Sequence, residues 1–374
     1  MAQSSGSESS GGGKDNDGST RIPFTLHRVF RDDDTSLCSL YLEMPSGMED
    51  ISKSYAYPKV FLLVNDKDKS QKDCLKMMHN LIHENVLGVK FWEEVEGEPY
   101  IRVYVEPYTA FVSELLKNAE FAVHPIIHSV PSRDFRKMVW AAINALDYIR
   151  ESGNYHGNFS WRTTLYHEAN GNIVVKLAYF ERKNSKTLLQ CQAEDFISLG
   201  ASLEAVSRHV RNNYAKFQNQ TCCLIDDLAS KLKSVTKFSV GTAKHDLEDH
   251  DFFWDEKRTK MFFAYEVPKI FKNEAVKNRF RALPTCPTLP WKTKWSPDPL
   301  SDPILIEMEK YRAKHGLGQY NENSFEDFLR FISGMYTHEN LLRKQIENLV
   351  VDAEVRVRFP RLSYDLNTII RGAA

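Results

Sequence analysis

Over the first hundred residues, apolar positions fall in short runs. The chain opens on Ser, Gly, Asp and Asn, and residues 1–20 hold almost no apolar side chains. They offer too little burial to offset chain entropy and are expected to form a disordered tail. Short runs at Phe24–Phe30, Leu37–Leu42 and Lys59–Val64 then read as strands. Apolar residues at 74, 75, 77, 78, 81 and 82 have helical spacing and predict a helix over Gln71–Ile82. Val89–Val95 and Tyr100–Val105 read as a hairpin turning at Glu96-Gly97-Glu98-Pro99.

Beyond residue 130 the helical period dominates. Ser132 is placed to cap a helix over Arg133–Glu151, whose positions 135, 139, 142, 143, 146 and 149 form one apolar stripe. A polar loop, Tyr155–Tyr166, leads through a turn at Ala169–Gly171 into a strand, Asn172–Phe180, and an apolar helix begins at Asp195. The charged segment Ala243–Asp251 runs directly into Phe252, Phe253 and Trp254, too apolar for a flexible linker. It is expected to be a rigid junction whose helix continues through the three aromatics. Within it His245, Asp246, Asp249, His250 and Asp251 are metal-like residue types that read as solvated helix charge.

From Asp255 onward Phe262, Phe263, Val267, Ile270 and Phe271 share helical spacing, and an irregular Pro- and Trp-containing stretch follows over Leu283–Pro303. Ser324 with Asp327 reads as a capping box, starting a helix at Phe325 that Gly334 is expected to stop. Thr337 would cap a second helix with the stripe Leu342, Ile346 and Leu349. That places His338 on its first turn, beside unpaired backbone N–H groups that favour a phosphate.

Composition sharpens this only slightly. A length of 374 residues exceeds the usual single core, so two domains are expected; 42% apolar and 26% charged residues are ordinary for a globular protein. No apolar run approaches the roughly 18 residues that a membrane span needs, and the N-terminus lacks a signal-peptide core. A cytoplasmic or nuclear location is expected, without a membrane partner. The six cysteines (38, 74, 191, 222, 223 and 286) show no CxxC spacing and read as reduced thiols. Net charge is −1, although residues 252–374 hold 20 Lys plus Arg against 16 Asp plus Glu, a surplus that permits RNA binding without arguing for it.

The order of strands, helix and hairpin up to Glu106-Pro107 resembles the small lobe of a protein kinase, with His83-Glu84-Asn85-Val86-Leu87 similar to the segment after its single helix. Asp195-Phe-Ile-Ser-Leu-Gly200 likewise resembles a segment buried in the kinase large lobe. The resemblance covers about Phe24–Trp254, and it shows where catalysis would fail. Laying the kinase catalytic loop on His156 puts Gly157, Asn158, Ser160 and Thr163 at its Arg, Asp, Lys and Asn positions. The Asp-Phe-Gly triplet falls on Tyr179-Phe180-Glu181. No Gly-x-Gly-x-x-Gly occurs between residues 24 and 60, and Lys59 and Lys67 miss the position of the ATP lysine. Base, metal ligand and phosphate clamp are lost together. Residues 21–250 are therefore expected to be a pseudokinase domain in which His156 is structural. ATP binding near Val105–Pro107, without magnesium-dependent catalysis, is the one cofactor this reading allows.

The aromatic junction and the block Tyr320–His338 resemble the kinase-extension nuclease (KEN) family, which contains the unfolded-protein-response kinase/endoribonuclease and RNase L. Asp327, Leu329, Arg330, Phe331 and Ile332 follow the family's nuclease segment without a gap. His338 then falls on the catalytic histidine and Tyr320 on the active-site tyrosine; Val357–Leu362 resembles the closing Arg-Phe-Pro segment. The implied fold class is an α+β protein-kinase-like bilobal domain followed by an all-α KEN (RNase L-like) domain over residues 251–374. The implied chemistry is metal-independent RNA cleavage by a dimer, leaving a 2′,3′-cyclic phosphate. It needs a base, an acid and a cation on the phosphate. The resemblance gives His338 the acid role, with Tyr320 organising the 2′-hydroxyl or phosphate and Asp327 structural.

One departure is serious. The family's Arg-Asn pair is Ser333-Gly334 here, so the phosphate-meeting guanidinium is gone. Arg330, Arg343 and Lys344 are the candidates to replace it. The same residues also admit a structural reading, with His338 an ordinary helix-start residue, Asp327 a cap and Tyr320 a surface ring. Two functions follow: a pseudokinase platform aligning RNA-cutting domains, or a catalytically dead scaffold that pairs with an active relative. Neither reading requires a metal.

Overall fold

The computed structural model describes residues 25–31, 37–43, 59–64, 69–94, 100–123, 130–169, 171–183, 185–213, 221–270, 273–283, 286–287, 290–359 and 361–371. The expected tail, Phe24, Lys67, the turn 96–99, Phe271 and Pro360 lie outside them. The chain falls into two compact units. One comprises residues up to Ile82 together with Leu87–Thr109, the other His83–Val86 together with everything from Ala110.

The first unit is an antiparallel sheet of β1 (Thr25–Arg31), β2 (Leu37–Glu43), β3 (Lys59–Val64), β4 (Val89–Glu94) and β5 (Tyr100–Val105), ordered β1-β2-β3-β5-β4. Helix α1 (Lys69–Asn80) lies between β3 and β4 in sequence and buries Cys74, Leu75, Met77 and Met78. Ile82, expected to close the helix, lies beyond it and is 86% exposed. His79 explains the early stop, because its Nδ1 meets the Val89 carbonyl at 3.0 Å and ties the helix end to β4.

The second unit begins with β6 (Ala110–Phe111) and α2 (Val112–Leu115), then α3 (Arg133–Glu151). Ser132 Oγ accepts the Phe135 N–H at 3.0 Å, and all six stripe positions of α3 are buried. Strands β7 (Thr164–Ala169) and β8 (Asn172–Leu177) complete a three-stranded sheet. The strand expected to reach Phe180 ends at Leu177, because Tyr179 takes a left-handed φ of 60°. Helix α4 (Leu188–Asn213) starts seven residues before Asp195. Thr187 and Gln190 form a reciprocal capping box there, with Thr187 N–H on Gln190 Oε1 at 2.9 Å and Gln190 N–H on Thr187 Oγ1 at 3.4 Å. Helix α5 (Thr221–Lys233) packs on α4.

The junction is buried and packed, although its helix is not continuous. Helix α6 (Ala243–Glu248) stops, His250 turns to extended backbone, and a 3₁₀ turn over Asp251–Phe253 precedes α7 (Glu256–Met261). Polar side chains impose the breaks: His250 Nδ1 accepts the Phe252 N–H at 3.1 Å and Asp255 Oδ1 accepts the Arg258 N–H at 2.7 Å. Phe252 packs edge-on to Phe135 and Phe253 to Trp140, both on α3, while Trp254 lies against Phe262. Arg136 donates to the Trp254 carbonyl. Residues on both sides of position 250 therefore belong to one unit. Of the charged cluster, His245 is exposed, but His250 and Asp251 are fully buried rather than solvated.

After a π-helical turn over Phe262–Glu266 come α8 (Val267–Ile270), α9 (Glu274–Arg281) and α10 (Trp291–Trp295). Then follow α11 (Pro303–Lys314), α12 (Phe325–Thr337), α13 (Glu339–Gln345), α14 (Val351–Arg358) and α15 (Leu362–Arg371). The stretch expected to be irregular thus contains a helix whose two tryptophans are completely buried, touching Tyr320, Phe328 and Phe331. Burying two such rings dominates the local packing. Arg358 donates to the Trp295 carbonyl at 2.7 Å and Phe359 lies on Phe328, so the segment resembling the family's closing motif is a clamp on this core. Ser363 on α15 donates to Asp251 at 2.7 Å, fastening the last helix to the junction.

Candidate functional site

The loop between α11 and α12 carries Tyr320. Helix α11 starts on Asp302, which accepts the Ile304 and Leu305 N–H groups at 3.0 Å each, and it ends at His315 where Gly316 takes a left-handed φ of 68°. Beyond this turn the chain is tied back to its neighbours. Tyr320 N–H meets the Glu309 carboxylate at 3.2 Å, Asn321 N–H donates to Asp327 at 2.7 Å, and Trp291 Nε1 donates to the Asn321 carbonyl at 3.0 Å.

Tyr320 is no surface ring. It is 6% exposed, edge-on to Trp291 and Phe331, with the Arg312 guanidinium 4.3 Å above its ring. Burial raises its phenol pKa to about 12 against the opposing pull of Arg312. Asp327 does only half of what a capping box requires. Its N–H donates to Ser324 Oγ at 3.2 Å, but its carboxylate turns to Asn321 and Arg330 instead of returning to the cap. It is a buried anchor for the tyrosine loop.

Gly334 does not stop α12, which continues to Thr337. A Cβ there would stand 2.6 Å from Met308 Cε and 3.3 Å from the Tyr320 hydroxyl. Glycine thus lets α11 and the tyrosine close on this turn, which is a packing role. Ser333 beside it is 7% exposed, and its carbonyl accepts the Thr337 hydroxyl at 2.8 Å. Thr337 is consequently the last residue of α12, not a cap for the next helix.

His338 stands between two helices rather than on a first turn. Its N–H donates to the Gly334 carbonyl at 2.8 Å and its own carbonyl accepts from Leu341 and Leu342, so it closes one helix and opens the other. Its half-buried ring lies 4.0 Å from that of Tyr311, and His315 lies 4.4 Å from the same tyrosine. Burial, and then the nearby His315, hold the His338 pKa below the ordinary imidazole value. Tyr320 and His338 therefore gather around two consecutive residues of α11: Tyr311 meets His338 and Arg312 covers Tyr320. Gly334 adjoins both.

The three substitute cations fare differently. Arg330 sits one turn before Gly334, half exposed, and pairs with Asp327 at 2.7 Å. Arg343 is drawn to Glu339 at 2.6 Å and Glu256 at 3.1 Å, on the side of α7. Lys344 is exposed on the last turn of α13. Sequence reasoning overlooked Tyr311, Arg312 and His315. Their only signal was a Tyr and a His four apart at the end of a helix, a spacing that puts both on one face.

In the loop resembling a kinase catalytic loop, the hydroxyls of Ser160 and Thr163 serve the loop itself. His156 and Gly157 donate their N–H groups to Asp195 at 2.7 and 2.8 Å. Burial pushes Asp195 up to about 7 against those two bonds, and drives His156 down to about 3. Gly157 has φ of 80°, and a Cβ there would lie 2.0 Å from the Glu181 carbonyl oxygen. Asn158 donates its N–H to His156 Nδ1 at 3.2 Å and accepts the Thr163 hydroxyl at 2.7 Å. Ser160 and Thr163 exchange N–H and hydroxyl contacts at 3.0 and 3.2 Å. Tyr179 stacks on Phe111, 6.0 Å away. At the segment Val105–Pro107, the Glu106 N–H is taken by the Gly88 carbonyl at 3.0 Å. No three His, Cys, Asp or Glu side chains converge to hold a metal among the described residues, and no described helix is long and apolar enough to cross a membrane.

No family model matches the chain, and no curated protein does. Among solved structures, Rad53 residues 1–466 in complex with AMP-PNP is similar at 12% identity and a TM-score of 0.42. The match covers 62% of this chain and spans 65% of the length of that one.

Proposed function

We propose that residues 21–250 form a catalytically emptied kinase-like platform and residues 251–374 a KEN-type domain that cleaves RNA without metal, acting as a dimer. The observation that carries the second half is the gathering of Tyr320 and His338 on Tyr311 and Arg312 of one helix. A half-buried imidazole held below its ordinary pKa is mostly neutral at pH 7 and suited to take up a proton, and Arg312 brings a guanidinium over the Tyr320 ring. Tyr320, with its phenol pushed up, keeps its proton and acts as a hydrogen-bond donor. The first half is supported by the four substituted positions Asn158, Ser160, Thr163 and Tyr179. None is a carboxylate or a lysine, and the Ser160 and Thr163 hydroxyls are spent on the loop. Nucleotide binding without phosphoryl transfer belongs to this reading.

A second reading, a dead scaffold pairing with a related active chain, is favoured by Ser333 being buried and by the ion pairs that hold Arg330 and Arg343. Incubating the protein with stem-loop RNA in EDTA separates the two. The first reading predicts cleavage that His338→Ala abolishes. Cleavage seen only with Ser333→Arg would mark a decayed site and support the second.

A further inference from the structure

The two imidazoles on Tyr311 are not accounted for by the family resemblance, which supplies one histidine. His338 comes from the joint between α12 and α13, and His315 from the end of α11, one turn beyond Tyr311. Both rings lie on that tyrosine, at 4.0 Å with a tilt of 35° and at 4.4 Å with a tilt of 41°. His315 is exposed and His338 half-buried, so the pair faces solvent where a phosphodiester can approach. Tyr311 itself and Arg312 over Tyr320 are polar neighbours; Glu339 next to His338 is engaged by Lys260 and Arg343.

We propose that His315 is the second imidazole of this site and works with His338 as an acid–base pair on an RNA phosphodiester, an inference that rests on the ribonuclease reading above. The neutral imidazole takes the 2′-hydroxyl proton as the O2′–P bond forms. The protonated one gives its proton to O5′ as the P–O5′ bond breaks. The products are a 2′,3′-cyclic phosphate and a free 5′-hydroxyl, and the imidazoles have exchanged protonation states, which solvent restores. Their shared contact with Tyr311 brings both rings to this site. Cleavage of this kind needs one general base and one general acid at the same phosphodiester, and two imidazoles supply both.

The test follows cleavage of stem-loop RNA in EDTA from about pH 5 to 8, where imidazole titrates, for the wild type, His338→Ala and His315→Asn. In parallel, NMR follows both imidazoles as cytidine 3′-monophosphate is added. The expected result is a bell-shaped rate profile in the wild type. His315→Asn should lower the maximum rate by about 10²-fold or more and remove one limb of the bell, with its fold intact by circular dichroism. Wild-type rate and an unchanged bell in His315→Asn would overturn the pairing while leaving the ribonuclease reading in place. If the wild type does not cut but the nucleotide shifts both imidazoles with one affinity that His315→Asn weakens, the ribonuclease reading fails and the paired phosphate site stands. If it neither cuts nor shifts them, both fall.

Discussion

The Asp327 carboxylate accepts the backbone N–H of Asn321 at 2.7 Å, one residue after Tyr320. The most sequence-local reading of Asp327 is a helix cap, yet its charge is used to fix the loop that carries the tyrosine. Asp327→Ala should therefore lower stability by about 1.5–3 kcal/mol, the range for a hydrogen bond to a charged group. Urea unfolding checks the magnitude. Faster amide exchange at residues 317–322 checks the location, and unchanged exchange there would show that the anchor is elsewhere.

Asp352 and Arg356 form a buried pair at 3.0 Å, which also binds the Tyr336 hydroxyl at 2.7 Å and Thr259 at 3.0 Å. Removing one partner leaves an unpaired charge in the core. Asp352→Ala should cost about 3–5 kcal/mol, read from the denaturation midpoint. Replacing both Asp352 and Arg356 with apolar residues should cost less than that single change.

Phe252 is fully buried between α3 and the junction. Phe252→Ala should destabilise by about 3–5 kcal/mol. Because the junction packs both flanking regions into one unit, amide exchange in α3 on one side and in α12 on the other should report a single transition. Two separated transitions in the wild type would show the flanking regions to be independent.

His156 sets a pH dependence with a definite sign. Its folded-state pKa lies near 3 because burial opposes the charge, below the value of about 6.5 in an unfolded chain. The unfolded state therefore binds the extra proton first, and the stability tied to the neutral ring is lost as pH falls from about 6.5 toward 3. Asp195 has the opposite shift and works against this over much of the same range. A difference measurement isolates the histidine: the penalty of His156→Asn should be largest at pH 7 and should shrink as the buffer is acidified. A penalty that grows on acidification would contradict the assignment.

Much of the fold could be read directly from hydrophobic spacing. The stripe of Arg133–Glu151 was visible because a long amphipathic helix repeats its period over five turns, and the strands from Leu37 to Val105 because short apolar runs were separated by turn residues. Local rules misled where tertiary packing decided. Gly334 resembles a helix stop, but it is a contact point for Met308 and Tyr320. Tyr320 was as compatible with a surface as with a pocket, because the tryptophan that covers it comes from a stretch read as irregular. The convergence of His315 and His338 on Tyr311 joins residues 23 positions apart in sequence, which no periodicity can report.

The most direct measurement is of product ends. Stem-loop RNA incubated with the protein in EDTA should yield fragments ending in 2′,3′-cyclic phosphate, detected by phosphorus NMR, at a rate that His338→Ala lowers by at least about 10²-fold. Intact RNA after incubation with concentrated wild-type protein, or equal cleavage by His338→Ala, would contradict the account.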